Sequence, residues 1–397
     1  MSKEGFFRVE QVPPMFGGGR RDWSVDVLRC VSCFMVCGLH AFIFTQRYDI
    51  ATEIGPSLWT DYLVFRMIFG SPTVLFVMVS GIFFLSPERN VTASKVWKKN
   101  VIKMTGAYIF WSFVYAVYRI HMMDPQPEIT ASWFIREWLV EPYHRWYIPM
   151  IIGLYIMCPI FRPITASRDT KLFRYFVIIF MAALLLSTIY LWPGFPYGEL
   201  YVVPLLDKTP MAVICQYPFW MMFGWIAYTY RPCKSFRYLI YALGIAATLA
   251  GIWFNIFNWL RTGDLGVVAT TQKFSILVFF KNIALFYFIV TTLREHEFSK
   301  AGRKLLSKLS ESTLIIYLVH MMFIYFLYDH TVFYETGNLS PWIGAWIYAI
   351  IAYIGGFLIA ILFHLVWDPI DPKKRKKKKQ KAMEAMRMDA AQPKAAA

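Results

Sequence analysis

Trp23-Ser-Val-Asp-Val-Leu-Arg29-Cys-Val-Ser-Cys-Phe-Met-Val-Cys-Gly38-Leu-His40 is the stretch that decides the reading of this chain, and it runs on apolar to Phe44. About 20 mostly apolar residues are what a helix needs to cross the hydrocarbon core of a bilayer. Two ionisable side chains interrupt this one, Arg29 and His40, eleven residues apart. At about 100° per residue, eleven steps return almost to the same helix face, about 16 Å further along the axis. An ionisable residue inside a membrane helix is costly, so by default it marks a functional position. Two on one face predict a polar track, with a cation towards one end and a titratable imidazole towards the other. Competing roles are open for Arg29: an intrahelical pair with Asp26, three residues earlier, or snorkelling to the interface. A lone His in an apolar helix also serves as a helix–helix hydrogen-bond partner.

Composition agrees with a membrane setting. Of the 397 residues, 57% are hydrophobic and 17% charged, with a mean hydropathy of +0.44; a soluble domain carries roughly 25% charge. The net charge of +16 does not imply nucleic acid, because the basic residues are concentrated in connections and in the tail. The run Lys373 to Lys379 follows the last apolar stretch and suits anionic headgroups; no aromatic platform accompanies it. Cys30, Cys33 and Cys37 share a helix stripe, which is poor geometry for a disulfide. Their expected role is packing, and no metal site is expected. The polar, glycine-rich start does not resemble a cleavable signal peptide.

Ten spans are predicted, near 23–45, 59–85, 101–120, 146–163, 173–192, 211–230, 238–259, 274–293, 312–328 and 342–367. The expected fold is an all-α polytopic membrane helix bundle. A segment 1–22 precedes it and a basic tail 368–397 follows. Lys and Arg crowd alternate connections and both termini, for example Arg89, Lys95, Lys98 and Lys99, then Arg168, Lys171 and Arg174, then Arg231, Lys234 and Arg237. The intervening connections hold few. This alternation predicts that both termini are cytoplasmic.

Other residues able to do chemistry are scattered. Lys99 and Lys103 share a face at the mouth of the third span and can hold an anion or contact headgroups. Ser80-Gly81 in the second span reads as close packing; a nucleophile at Ser80 lacks an adjacent base. His144-Arg-Trp146-Tyr147 opens the fourth span at the outer surface, where an aromatic belt accounts for Trp146 and Tyr147. His144 there either contacts a polar acceptor or is solvated. His320 and Lys281 lie within spans, and a buried Lys needs a partner or a cavity.

Several of these patterns together resemble the acyltransferase 3 family of integral membrane acyltransferases. Arg29 to His40 resembles its Arg-x10-His signature, and Phe76-Val-Met-Val-Ser80-Gly81 its Phe-rich Ser-Gly motif. His144-Arg-Trp146-Tyr147-Ile-Pro149 with Gly153-Leu-Tyr155 resembles its His-x-Trp-Phe…Gly-Leu-Tyr stretch. Ile316-Tyr317-Leu-Val-His320 resembles its late Tyr-Leu-x-His motif. They occur in the family order and span most of the chain. The nearest flavour is the O-acetyltransferase branch that includes the enterobacterial common antigen enzyme. The chain departs where the family often has arginines entering the third span, carrying Lys98, Lys99 and Lys103 instead; lysine keeps the charge and loses the fork.

The resemblance implies an O-acyltransferase, acetyl being the usual group, in a bacterial cytoplasmic membrane. Acyl-CoA, as substrate and not as a tightly bound cofactor, would meet Arg29, Lys99 and Lys103. His40 would act as general base, with Arg29 beside the reaction, on a hydroxyl of a glycan or lipid-linked sugar. His144, Trp146, Tyr147 and His320 would serve that acceptor. Tyr108, Ser112 or Lys281 are the candidates to donate to the tetrahedral oxyanion; the partner that orients His40 can come from any span, with Asp49 and Glu53 candidates by proximity in sequence only. Membrane lipids are the remaining expected partners, and no nucleic acid is expected. Some relatives carry an extra extracytoplasmic domain that this chain has no room for, so transfer directly to the acceptor or to a separate partner is expected. The competing reading is a transporter of polysaccharide or lipid-linked sugar, which ten spans and intramembrane cations also fit. The sequence does not decide between a single chain and a homodimer.

Overall fold

The computed structural model describes residues 9–11, 21–44, 56–122, 128–139, 143–190, 211–262, 275–330 and 341–367. Asp49, Glu53, the segment 1–8 and the basic tail lie outside them. The described residues form an all-α polytopic membrane bundle. Its helices are α1 Trp23–Phe44, α2 Pro56–Phe69, α3 Pro72–Phe84, α4 Ile102–Met122, α5 Ala131–Leu139, α6 Tyr147–Ala166, α7 Thr170–Tyr190, α8 Tyr217–Thr229, α9 Lys234–Thr262, α10 Ile276–Thr292, α11 Lys300–His330 and α12 Pro341–Trp367. Strands β1 Val9–Gln11 and β2 Tyr230–Pro232 pair antiparallel, with Glu10 opposite Arg231.

Eight stretches of the described residues are long and apolar enough to cross a membrane, and the expectation of ten differs at two places. The sixth span divides into the single turn Met211–Ile214 and the 13-residue α8. The eighth is the 17-residue α10. Both are shorter than a lipid-facing span needs. Protein can replace lipid around such helices: Trp220 to Tyr228 of α8 are buried throughout. The ninth span is instead part of the 31-residue α11. The fourth stays helical through Pro159 and Pro163.

The second span breaks into α2 and α3. Ser71 adopts a left-handed conformation (φ 63°) immediately before Pro72, and Pro cannot continue the ladder. Lys281 of α10 repairs the break, donating from Nζ to the carbonyls of Met67 (2.9 Å) and Gly70 (2.5 Å). Its ammonium is thus occupied as a clamp.

Helix α1 is surrounded by α2, α3, α10, α11 and α12. Helices α3 and α8 cross at backbone contact. A Cβ on Gly81 would stand 1.9 Å from the Met221 carbonyl oxygen, and one on Gly224 would stand 2.4 Å from the Met78 backbone. Small residues let membrane helices approach this closely, so the Ser-Gly pattern is a packing device here.

Candidate functional site

The site is built along two parallel helices, α1 and α11. Asp26 is taken by Arg21, through bonds of 2.6 and 3.0 Å, and by Ser310 at 2.5 Å. The intrahelical alternative for Arg29 is therefore not adopted. Arg29 instead reaches Thr313 of α11, Nη2 to Oγ1 at 3.4 Å, and lines a cavity of about 440 Å³.

That cavity joins two kinds of surface. At the end where α3 finishes and α4 begins, it is lined by Arg29, Arg89, Lys99 and Lys103. Four cations gathered on one cavity wall, with no carboxylate among the described lining residues, make an anion-attracting mouth. Further in, the walls are Phe76, Ile151, Tyr147 and Tyr317. Ser80 also lines it and pairs with the Tyr155 side chain, so Ser80 has a hydroxyl neighbour and not a base.

Arg89 and its support were missed from the sequence. Arg162 of α6 donates from Nη1 to the Phe84 and Ser86 carbonyls (2.8 and 2.9 Å) and from Nη2 to the Arg89 carbonyl (2.6 Å). Thr165 adds a bond to the Leu85 carbonyl at 2.7 Å. Together they fix the loop after α3 that carries Arg89. The available signal was Arg162 inside the predicted span 146–163; Arg89 was read only as a basic residue of a connection.

Beyond Tyr147 and Tyr317 lie three histidines from three elements. The His40 ring (α1) is 5.2 Å from that of His320 (α11) and 6.4 Å from that of His144, which precedes α6. His144 and His320 are 6.0 Å apart. All three are buried, so the solvated alternative for His144 does not hold. The Tyr317 hydroxyl donates to the His144 carbonyl at 2.6 Å. Nδ1 of His320 stands 2.5 Å from the Tyr317 carbonyl. A carbonyl only accepts, so this contact assigns the proton to Nδ1 and leaves the lone pair on Nε2. Nε2 is buried and has no hydrogen-bond partner among the described residues. Thr313, Tyr317 and His320 are spaced i, i+4, i+7, one face of α11. That face runs beside the Arg29-to-His40 face of α1. Among the described residues no group of three His, Cys, Asp or Glu side chains is arranged to hold a metal ion.

The remaining sequence candidates separate. Tyr147 is buried against Tyr317 (ring centroids 5.3 Å apart), whereas Trp146 faces outward over Tyr217. An aromatic belt therefore accounts for Trp146 only. Lys281 is occupied at the α2–α3 break. Tyr108 donates to the Leu139 carbonyl at 2.8 Å and, with Tyr115, sandwiches the buried Arg145 guanidinium at 5.5 Å to each ring. Ser112 lies between those tyrosines on the same α4 face, buried and with its hydroxyl unpartnered among the described residues. Nearby, Trp138 of α5 donates to the Ile109 carbonyl at 3.0 Å and Glu137 pairs with Arg119 at 2.5 Å, which seats α5 on α4.

A family model described as an acyltransferase domain matches residues 22–365, and the chain belongs to that family, a multi-pass membrane acyltransferase. No curated protein and no solved structure matches it.

Proposed function

We propose that this chain is an O-acyltransferase of the bacterial inner membrane, with acetyl the group moved, from cytoplasmic acyl-CoA to a hydroxyl of a cell-surface glycan or lipid-linked sugar. One observation carries the reading: a carboxylate-free cationic cavity at one end of the bundle backs onto a buried three-histidine cluster. Coenzyme A is anionic at its nucleotide end and mostly neutral along its pantetheine arm. Arg29, Arg89, Lys99 and Lys103 hold its phosphates, and the arm runs along Phe76 and Ile151. The thioester then reaches Tyr147 and Tyr317, where a side-chain rotation opens the histidine cluster to it.

In this reading His40 takes the proton of the acceptor hydroxyl. The alcohol oxygen attacks the thioester carbon, and the oxyanion draws on Ser112. The C–S bond then breaks, and the thiolate leaves with the proton returned from the His40 imidazolium. One ester and one free thiol form, with no net proton change. His320, its lone pair on Nε2, positions the His40 ring. His144, Tyr147 and the outward-facing Trp146 serve the acceptor. Segments 1–22 and 368–397 lie on the cytoplasmic side, the latter against anionic headgroups.

The test is label transfer from radiolabelled acetyl-CoA to a membrane glycolipid extract by purified protein in nanodiscs. Wild type and His40→Ala are compared at equal folded yield. Transfer by wild type, lost in a variant that still binds acetyl-CoA, is expected. No binding or turnover of any acyl-CoA by folded wild type would move the assignment to a transporter.

A further inference from the structure

We propose that Arg231, Arg237 and Arg294 form a second anion site, for a phosphate group, that shares no residue with the cavity. The three come from different elements: β2, the first turn of α9, and the segment just after α10. Arg231 is only 8% exposed. Its guanidinium lies over the Tyr228 ring at 5.2 Å, and Nε reaches the Tyr228 carbonyl at 3.4 Å. Its Nη2, together with Nε of Arg237 and Nη1 of Arg294, is buried without a hydrogen-bond partner among the described residues. Burial first, and then repulsion from the neighbouring Arg294, lower the Arg231 guanidinium to about 10. Arg231 and Arg237 both adjoin Tyr287.

Local carboxylates do not balance this charge. Asp22 is used by Ser24 and by the Tyr228 hydroxyl, at 2.6 Å. Glu10 is the backbone partner of Arg231 in the strand ladder; among the described side chains, the carboxylate acting on Arg231 is Asp22. Buried donors left unmade are costly, and a phosphate offers several acceptor oxygens that suit guanidinium forks. The cluster lies at the same end of the bundle as Arg21 and Asp26, where headgroup phosphates are expected; a free phosphate has the same chemistry.

The experiment is a thermal-stability titration of the full chain in detergent at constant ionic strength. One arm uses inorganic phosphate, and the other uses phosphatidylglycerol against diacylglycerol. A rise in melting temperature with either phosphate source is expected, with apparent affinity falling about tenfold or more in Arg231→Gln and Arg294→Gln, as for losing a charge-assisted bond. Response to phosphatidylglycerol alone assigns a headgroup; response to both assigns phosphate in general. Should Arg231→Gln not fold, the less buried Arg294 and Arg237 variants carry the test. No shift in wild type, or equal shifts in the folded variants, overturns the proposal.

Discussion

His40 and His320 lie with ring centroids 5.2 Å apart, and the Tyr317 carbonyl fixes which nitrogen of His320 can accept. The relationship is specific to a folded pair of parallel helices, because the two residues are 280 positions apart in the chain. It makes His320 a positioning residue for His40 in the proposed reaction. His320→Ala is expected to lower kcat about tenfold, ~1.4 kcal/mol in the barrier, with KM for acyl-CoA nearly unchanged. His320→Gln, whose amide oxygen can accept in the place of Nε2, should recover part of it. A purely structural role predicts instead that both variants lose folded yield together, which size-exclusion profiles would reveal.

The cavity cations predict the opposite kinetic split. Lys99→Gln, Lys103→Gln or Arg89→Gln should raise KM for acyl-CoA several-fold and flatten its dependence on salt, with kcat largely kept. Arg162→Gln should resemble Arg89→Gln, although Arg162 does not line the cavity, because it leaves the Arg89 loop without its clamp. Steady-state kinetics at two ionic strengths check this; an Arg162→Gln enzyme with unchanged KM refutes the clamp as a positioning device.

The α3–α8 crossing has no room for a methyl group. Gly81→Ala and Gly224→Ala should each destabilise by about 1–3 kcal/mol or more, the range for overpacking, and reduce extractable protein. Ser80→Ala, one residue away on the cavity side, should leave stability close to wild type. Thermal melts in detergent compare the three directly.

Lys281→Met should behave as a stability variant. It removes the donor to the Met67 and Gly70 carbonyls beside the Ser71–Pro72 break, and an unsatisfied buried acceptor costs about 1–3 kcal/mol. A lower melting temperature with unchanged turnover per folded molecule is expected. A catalytic loss at unchanged stability would return Lys281 to the oxyanion candidates.

Much of the bundle is legible along the chain because hydrophobic runs of bilayer length are a local property. Eight long apolar helices among the described residues follow from them, and the two shortfalls share one cause. Hydropathy records that 211–230 and 274–293 are apolar, but not whether lipid or protein surrounds them. Only lipid demands full bilayer length. Breaks were harder to place for a related reason: Pro159 and Pro163 stay within a helix, whereas Ser71–Pro72 ends one, and a lysine from α10 sustains that ending.

The sequence by itself determined that this is a membrane helix bundle of the acyltransferase family and that Arg29 and His40 share a face. Both rest on periodicity and motif order within short segments. The tertiary structure alone decided what surrounds them. Asp26 turns away to Arg21 and Ser310, which leaves Arg29 to the cavity. Arg89 joins it through a clamp from α6, and His144 and His320 close around His40. Contacts between helices hundreds of residues apart depend on how side chains interlock across the bundle, and no local pattern in the chain encodes that interlocking.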